Sequence, residues 1–82
     1  MSVQKTYTCT ITLQGMPMPV EILVYGDEDY TGNGEYFAHI NVTGFGLFTT
    51  VKVDIDSENN ILTSIGREFT INQDDTLTEI VA

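Results

Sequence analysis

The sequence predicts an all-β fold in which five to six antiparallel strands form a meander, shaped as a half-barrel or a small barrel. Apolar and polar side chains alternate in several segments, and this period of two is typical of a strand with one buried face. Short segments rich in Gly, Asn, Asp and Ser separate these runs, and no segment has a convincing helical period. Connections this short favour antiparallel neighbours, because parallel crossovers need about a dozen residues.

The first half of the chain predicts two strands with a proline-containing segment between them. In residues 5–13 threonines alternate with apolar residues, and the apolar set is Tyr7, Cys9, Ile11 and Leu13. Residues 14–19 predict a connection or a bulged edge, because Pro17 and Pro19 have no backbone N–H to donate. Residues 20–26 predict the second strand, which alternates less cleanly: Val20, Ile22 and Val24 lie on one face and Leu23 and Tyr25 join Glu21 on the other, so both faces are expected to be partly covered.

The remaining strands are expected over residues 35–43, 47–55, 61–69 and 76–82. Within 61–69 we expect a single strand in which Ile61, Ile65 and Phe69 face inward and Gly66 forms a bulge. No linker, internal repeat or low-complexity segment interrupts the pattern. We therefore predict one domain that extends from residue 3 to residue 82.

The composition limits the classes of partner. Twelve acidic residues against three basic ones give a net charge of −9, which disfavours nucleic acid and anionic membrane surfaces. A hydrophobic fraction of 41% is too high for a disordered acidic tail. No run approaches the roughly 20 apolar residues of a membrane span, and the first residues lack the apolar core of a signal peptide. We expect a soluble chain. Its sequence does not define a cellular compartment, because a mature secreted fragment would have the same features.

Residues 26–36, GDEDYTGNGEY, are the most acidic stretch of the chain. An EF-hand loop needs a bidentate carboxylate at its twelfth position, and counting from Asp27 that position is Ala38. The glycines and asparagine instead predict a hairpin loop, since both residue types tolerate positive φ. A weak calcium site outside any known motif, formed by Asp27, Asp29 and Glu35, is the alternative.

Catalytic chemistry is not expected. His39 is the only histidine and Cys9 the only cysteine, so together they are the only nucleophile and base of this type that the chain can offer. Both fall in the middle of predicted strands, and nothing in their spacing places them side by side. The sequence carries no phosphate-binding loop, dinucleotide fingerprint or cysteine cluster. We therefore predict a protein without enzymatic activity and without a cofactor.

A soft apolar surface is the better candidate for function. Phe45 lies between two glycines at an expected hairpin tip, and Phe48 follows it. With Met16 and Met18 these side chains predict an adaptable apolar rim, to which we add Tyr25 as a candidate ligand contact. The alternative is that the same side chains cover the open end of their own core.

Residues 5–24, KTYTCTITLQGMPMPVEILV, and residues 36–55, YFAHINVTGFGLFTTVKVDI, together resemble the small bacterial calycin-like, or lipocalin-like, β-barrel proteins. The resemblance covers most of the chain and brings no catalytic residues with it. Members of this group commonly hold a small apolar ligand inside an up-and-down barrel. The resemblance therefore implies a non-enzymatic binding protein that encloses such a ligand.

Two further expectations concern protein partners. The first alternative to ligand binding is an acidic interaction or inhibitor module that acts on a basic partner through its charge. The second expectation is a homodimer that completes a barrel or sandwich. A domain of this size buries only about 60% of its unfolded surface, and a single cysteine cannot form an internal disulfide. Residues 20–26 also carry apolar side chains on both faces, so a second chain would cover the face left wet.

Overall fold

The computed structural model describes residues 2–26, 30–43 and 47–80, and it contains seven strands. They are β1 (Ser2–Leu13), β2 (Met16–Gly26), β3 (Gly34–Val42), β4 (Leu47–Asp56), β5 (Ile61–Ser64), β6 (Arg67–Ile71) and β7 (Thr76–Ile80). The described residues form no helix, and hence none that is long and apolar enough to cross a membrane. The all-β prediction is confirmed.

The strands pair in chain order and close into a barrel. Each strand is antiparallel to the next, as the meander predicts, whereas β1 and β7 pair in parallel. This follows from the odd number of strands, since the first and last strands of a seven-stranded meander run in the same direction. The closing ladder is short and joins Thr8 to Thr76 and Cys9 to Leu77. The barrel closes within one chain, so closure does not require the second chain that we expected to complete it.

The barrel interior is filled by its own side chains. The buried apolar residues are Tyr7, Cys9, Ile11, Val20, Ile22, Val24, Ala38, Val53, Ile55, Leu62, Phe69 and Leu77. Val24, Ala38 and Leu62 have no exposed surface at all. The alternation in β1 therefore predicted correctly that Tyr7, Cys9 and Ile11 face inward, whereas in β2, with apolar side chains on both faces, the structure selects the face of Val20, Ile22 and Val24.

The expected single strand over 61–69 is wrong, and this accounts for the seventh strand. Residues 61–64 and 67–71 form separate strands, β5 and β6, around a two-residue turn. Ile65 and Gly66 have φ angles of 48° and 74°, which is the signature of a type I′ hairpin turn. Gly66 therefore belongs to a turn and not to a bulge. The reversal also puts Leu62 in the core in place of Ile61, and Ile65 is 66% exposed.

The proline segment is part of β2, which corrects the expected connection. Pro19 faces Thr10 across the β1–β2 ladder, and its carbonyl accepts a hydrogen bond from Thr43 N–H at 3.0 Å on the opposite side. The backbone of Pro19 therefore points away from β1, and Pro17, two residues earlier, points the same way. The β2–β3 ladder ends at Val20, so Pro17 lies beyond it, whereas Pro19 accepts the bond from Thr43 and has no N–H with which to return one.

The hairpin of β1 and β2 extends past the barrel wall. The β1–β7 ladder ends at Cys9 and the β2–β3 ladder at Val20, whereas β1 and β2 pair with each other as far as Leu13 and Met16. Residues 10–19 thus form a two-stranded extension, here called the arm. Its turn has positive φ at Gln14 and Gly15.

The turn of β5 and β6 provides a test of the assigned topology. A β-branched residue at positive φ is strained, by about 1–2 kcal/mol, whereas Asn adopts this conformation readily. Ile65→Asn should therefore raise the free energy of unfolding by about 1 kcal/mol, measured by urea denaturation. Thr63→Asn, on the exposed face of β5, is the matched control and should lower it slightly, because Asn is disfavoured in strands. Destabilisation by Ile65→Asn would contradict the turn assignment.

Candidate functional site

An open cleft of about 520 Å³ lies beside the junction of β1 and β7, and we call it the seam cleft. It is lined by residues 8–10 of β1, residues 76–79 of β7, and Pro19, Val20 and Thr43 at the adjoining ends of β2 and β3. Five of these ten residues are threonines, while Cys9, Val20 and Leu77 come from the core. The seam cleft therefore combines an apolar floor with hydroxyl groups and the Glu79 carboxylate.

Asp75 links β7 to β1 on the Lys5 side of the junction, just before the two closing pairs. Its carbonyl accepts the Thr8 N–H at 3.2 Å, and its carboxylate contacts Lys5 Nζ at 3.0 Å. The preceding residue, Asp74, accepts hydrogen bonds from Thr76 N–H at 3.2 Å and from Thr76 Oγ1 at 2.6 Å. The turn before β7 thus fixes where β7 meets β1.

Both strands present backbone groups to the seam cleft beyond the point where their pairing ends. Because Thr8 N–H points across the junction, the peptide groups of Thr10 and Thr12 lie on the same edge of β1. On β7, Thr76 directs its carbonyl to Asn72 on the β6 side, so Glu79 has its peptide group on the β1 side. The ladder ends at Leu77, and the peptide groups of Thr12 and Glu79 therefore lie outside it.

Cys9 and Glu79 both line the seam cleft, and the charge of Glu79 acts on the Cys9 thiol. Burial raises the pKa of the Cys9 thiol, and the negative charge of Glu79 raises it further. Arg67 contacts Glu79 at 3.5 Å, with both side chains partly exposed. A buried, protonated thiol is a poor nucleophile, so the environment of Cys9 is that of a structural cysteine.

The structure does not bring together the one nucleophile and base pair considered from sequence. Cys9 points into the core from β1. His39 lies on the outer face of β3, where its ring contacts the Tyr25 ring at a centroid distance of 4.6 Å. The two side chains are on opposite faces of the barrel wall.

The predicted apolar rim is only partly assembled in the described residues. Met16 and Met18 lie on the arm, where Met16 is 64% exposed and Met18 is half-buried opposite Ile11. Tyr25 lies at the other end of β2 and on the outer face, about 23 Å along the strand from Met18. Phe45 and the side chain of Phe48 lie outside the described residues.

The acidic loop contains the hairpin that its composition predicts, since β2 and β3 are antiparallel and Gly32 and Gly34 have positive φ. Glu35 is exposed on β3, while Asp27 and Asp29 lie outside the described residues. Within the described ranges no three His, Cys, Asp or Glu side chains gather into a metal-binding group.

Like charges face each other on the outer wall. Glu35 is directly opposite Asp54, and both are exposed. Asp54 is in turn opposite Thr63, which is opposite Glu68 on β6. We call Glu35, Asp54 and Glu68 the acidic row. Carboxylates in directly opposite positions repel each other, so a positive charge nearby would stabilise the Glu35–Asp54 pair.

The seam cleft was missed by the sequence analysis, because parallel pairing between the two ends of a chain leaves no local pattern. The only local signal was the pair of prolines, which marks one edge of the arm as unable to pair further.

No protein-family model, curated protein or solved structure matches this chain significantly.

The shared environment of Cys9 and Glu79 can be tested by titration. Removing the negative charge should make the thiolate less unfavourable, so Glu79→Gln should lower the pKa of Cys9. The pKa would be read from the pH dependence of thiolate absorbance in the folded protein. Glu68→Gln removes the same charge from the outer face of β6 and should leave the titration unchanged. An equal effect of both variants would contradict the placement of Glu79.

The hydrogen bonds to Asp74 predict a pH dependence of stability. Thr76 holds the pKa of Asp74 below its ordinary value, first through its hydroxyl and then through its N–H. This contribution is present above the unfolded pKa and is lost as the pH falls through the lower folded pKa. The stability difference between the wild type and Asp74→Ala should therefore shrink between about pH 5 and about pH 2 in urea denaturation. A constant difference would contradict this role.

Proposed function

We propose that this protein is a non-enzymatic, acidic interaction module that binds a basic segment of a protein partner at the seam cleft. The observation that carries the proposal is the open cleft of about 520 Å³, flanked by backbone edges at the shortest strand pairing of the barrel. Cleft volumes of this size are typical of binding sites.

The charge distribution supports a basic partner. The chain carries −9, and within the described residues Lys5 and Arg67 form ion pairs with Asp75 and Glu79. Lys52, the third cation, lies 6.0 Å from the centroid of the Phe37 ring. The acidic row thus keeps its carboxylates for solvent or for a partner, and a net field of this sign attracts cationic segments.

A polypeptide suits the seam cleft better than an enclosed apolar ligand does. Core side chains of the described residues, such as Val24 and Leu62, occupy the barrel interior, where a larger barrel holds its ligand. The cleft itself opens sideways, and threonine hydroxyls and Glu79 form much of its lining. These groups hydrogen-bond to polar partners.

A small apolar ligand is the second candidate. It is favoured by the half-buried Met18 on the arm and by Cys9, Val20 and Leu77 in the cleft floor. A relationship to the calycin-like proteins would agree with it, and the support for that relationship is the small closed meander barrel. Lipocalin barrels have eight strands and therefore close in the antiparallel sense, whereas this one has seven and closes in parallel.

Self-association stays a separate prediction. Because the barrel closes within one chain, the free edge of the arm is the remaining feature that favours a homodimer. The charge of −9 on each copy opposes it. Light scattering coupled to size exclusion distinguishes a mass near 9.1 kDa from twice that value.

The two candidate functions respond differently to salt. We use as probe a capped ten-residue peptide that alternates lysine and valine. Its Kd, measured by calorimetry, should rise severalfold between about 50 and 500 mM NaCl, because exposed charge attraction is screened over about 10 Å at 0.1 M salt and less above it. The same peptide with glutamine in place of lysine is the control and should bind more weakly at low salt.

Binding of the neutral apolar dye Nile red tests the second candidate on the same samples. Dye binding that is insensitive to salt, together with no binding of the lysine peptide, would contradict the proposed function and favour the apolar ligand.

A further inference from the structure

We propose that the occupant of the seam cleft binds as an added β-strand, by pairing its backbone with the free edge of β1 over residues 10–13. The inference rests on the proposed function and specifies how the basic segment is held. Strand addition of this kind takes most of its affinity from main-chain hydrogen bonds and its specificity from alternate side chains.

The first argument is the supply of unpaired backbone groups. The peptide group of Thr12 points to the seam, because it shares an edge of β1 with that of Thr8, whose N–H donates across the junction to Asp75. The peptide group of Glu79 on β7 points to the same seam from the other side. Both lie beyond the two pairs that close the barrel.

The second argument is the difference between the two edges of the arm. The edge formed by β2 carries Pro17 and Pro19, which cannot donate and therefore block further pairing. The edge formed by β1 has threonines at the corresponding positions, and Thr12, beyond the closing pairs, keeps both its N–H and its C=O for a partner strand. The β2 edge is thus protected against strand addition, whereas the β1 edge can accept an added strand.

The third argument concerns the chemistry of the occupant. Residues 6–20 contain no charged side chain, so the arm itself offers only hydroxyl and apolar groups. Ile11 is buried and Met18 is half-buried on the inner face of the arm, which suits apolar side chains at alternate positions of an added strand. The net charge of −9 suits lysine or arginine at the positions between them, which face outward. A second copy of this chain would bring −9 to the same place, so the occupant is a basic segment of another protein.

The test compares the lysine–valine peptide with a version that carries N-methyl groups on alternate backbone nitrogens. The two peptides have the same charge and the same side chains, but the methylated one cannot donate along one edge. Both registers of N-methylation are prepared, so that either edge of the peptide is covered. At least one methylated register should bind about tenfold more weakly or worse, as the loss of roughly 1.4 kcal/mol of hydrogen bonding implies.

Equal affinity of all three peptides would overturn strand addition and leave the proposed function standing, because charge alone would then explain binding. Absence of binding by any of them would remove both proposals.

A matched pair of protein variants tests the edge from the other side. Thr12→Pro removes the donor that faces the seam without removing a bond to β2, whereas Thr12→Val keeps the donor and loses only the hydroxyl. Thr12→Pro should weaken peptide binding about tenfold, and Thr12→Val should leave it within twofold, as the 1.4 kcal/mol per tenfold scale implies. Circular dichroism checks that both variants fold. If Thr12→Pro does not fold, the comparison of the methylated peptides tests strand addition instead.

Light scattering on the same variants identifies a competing occupant. A dimer of the wild type that Thr12→Pro converts to monomer would show that a second copy occupies the edge, and it would overturn the assignment to a basic partner.

Discussion

The barrel depends on the short parallel contact between β1 and β7. The β1–β2 ladder runs the length of both strands, and most other neighbours pair over at least four residues, but the closing ladder joins only Thr8 and Cys9 to Thr76 and Leu77. The Lys5–Asp75 ion pair and the Thr8–Asp75 hydrogen bond extend the contact between β1 and β7 on the Lys5 side of this ladder. An exposed ion pair contributes little, about 0–1 kcal/mol, so closure rests mainly on burial of Cys9 and Leu77 in the common core.

The same short contact creates the candidate site. Because pairing stops at Cys9 and Leu77, the rest of β1 extends as part of the arm, and the end of β7 diverges from it around the seam cleft. The prolines of β2 then leave β1 as the open edge of the arm. Charged side chains normally prevent further pairing at such an edge. Residues 6–20 contain no charged side chain, so the β1 edge of the arm is suited to pairing with another strand.

Local pattern predicted the parts of the fold that local pattern determines. The alternation in residues 5–13 placed Tyr7, Cys9 and Ile11 in the core, because a half-buried strand has a period of two, whereas residues 20–26 carry apolar side chains on both faces and did not define their inward face. It failed at Ile65, where a β-branched residue occupies a turn position that usually carries Asn or Gly, so the hairpin resembled one long strand. The seam cleft could not be predicted, since it depends on which residues of the first and last strands happen to meet.

Amide hydrogen exchange of the free protein, followed by NMR, tests the short closure most directly. If pairing ends where the described ladder ends, the N–H groups of Thr12 and Glu79 should exchange at rates close to those of an unstructured peptide. The N–H of Ile22, which lies opposite Tyr7 in the middle of the β1–β2 ladder, should exchange only through global unfolding. Protection of Thr12 and Glu79 equal to that of Ile22 would show that the seam is closed along its whole length, and it would contradict an open edge available to a partner.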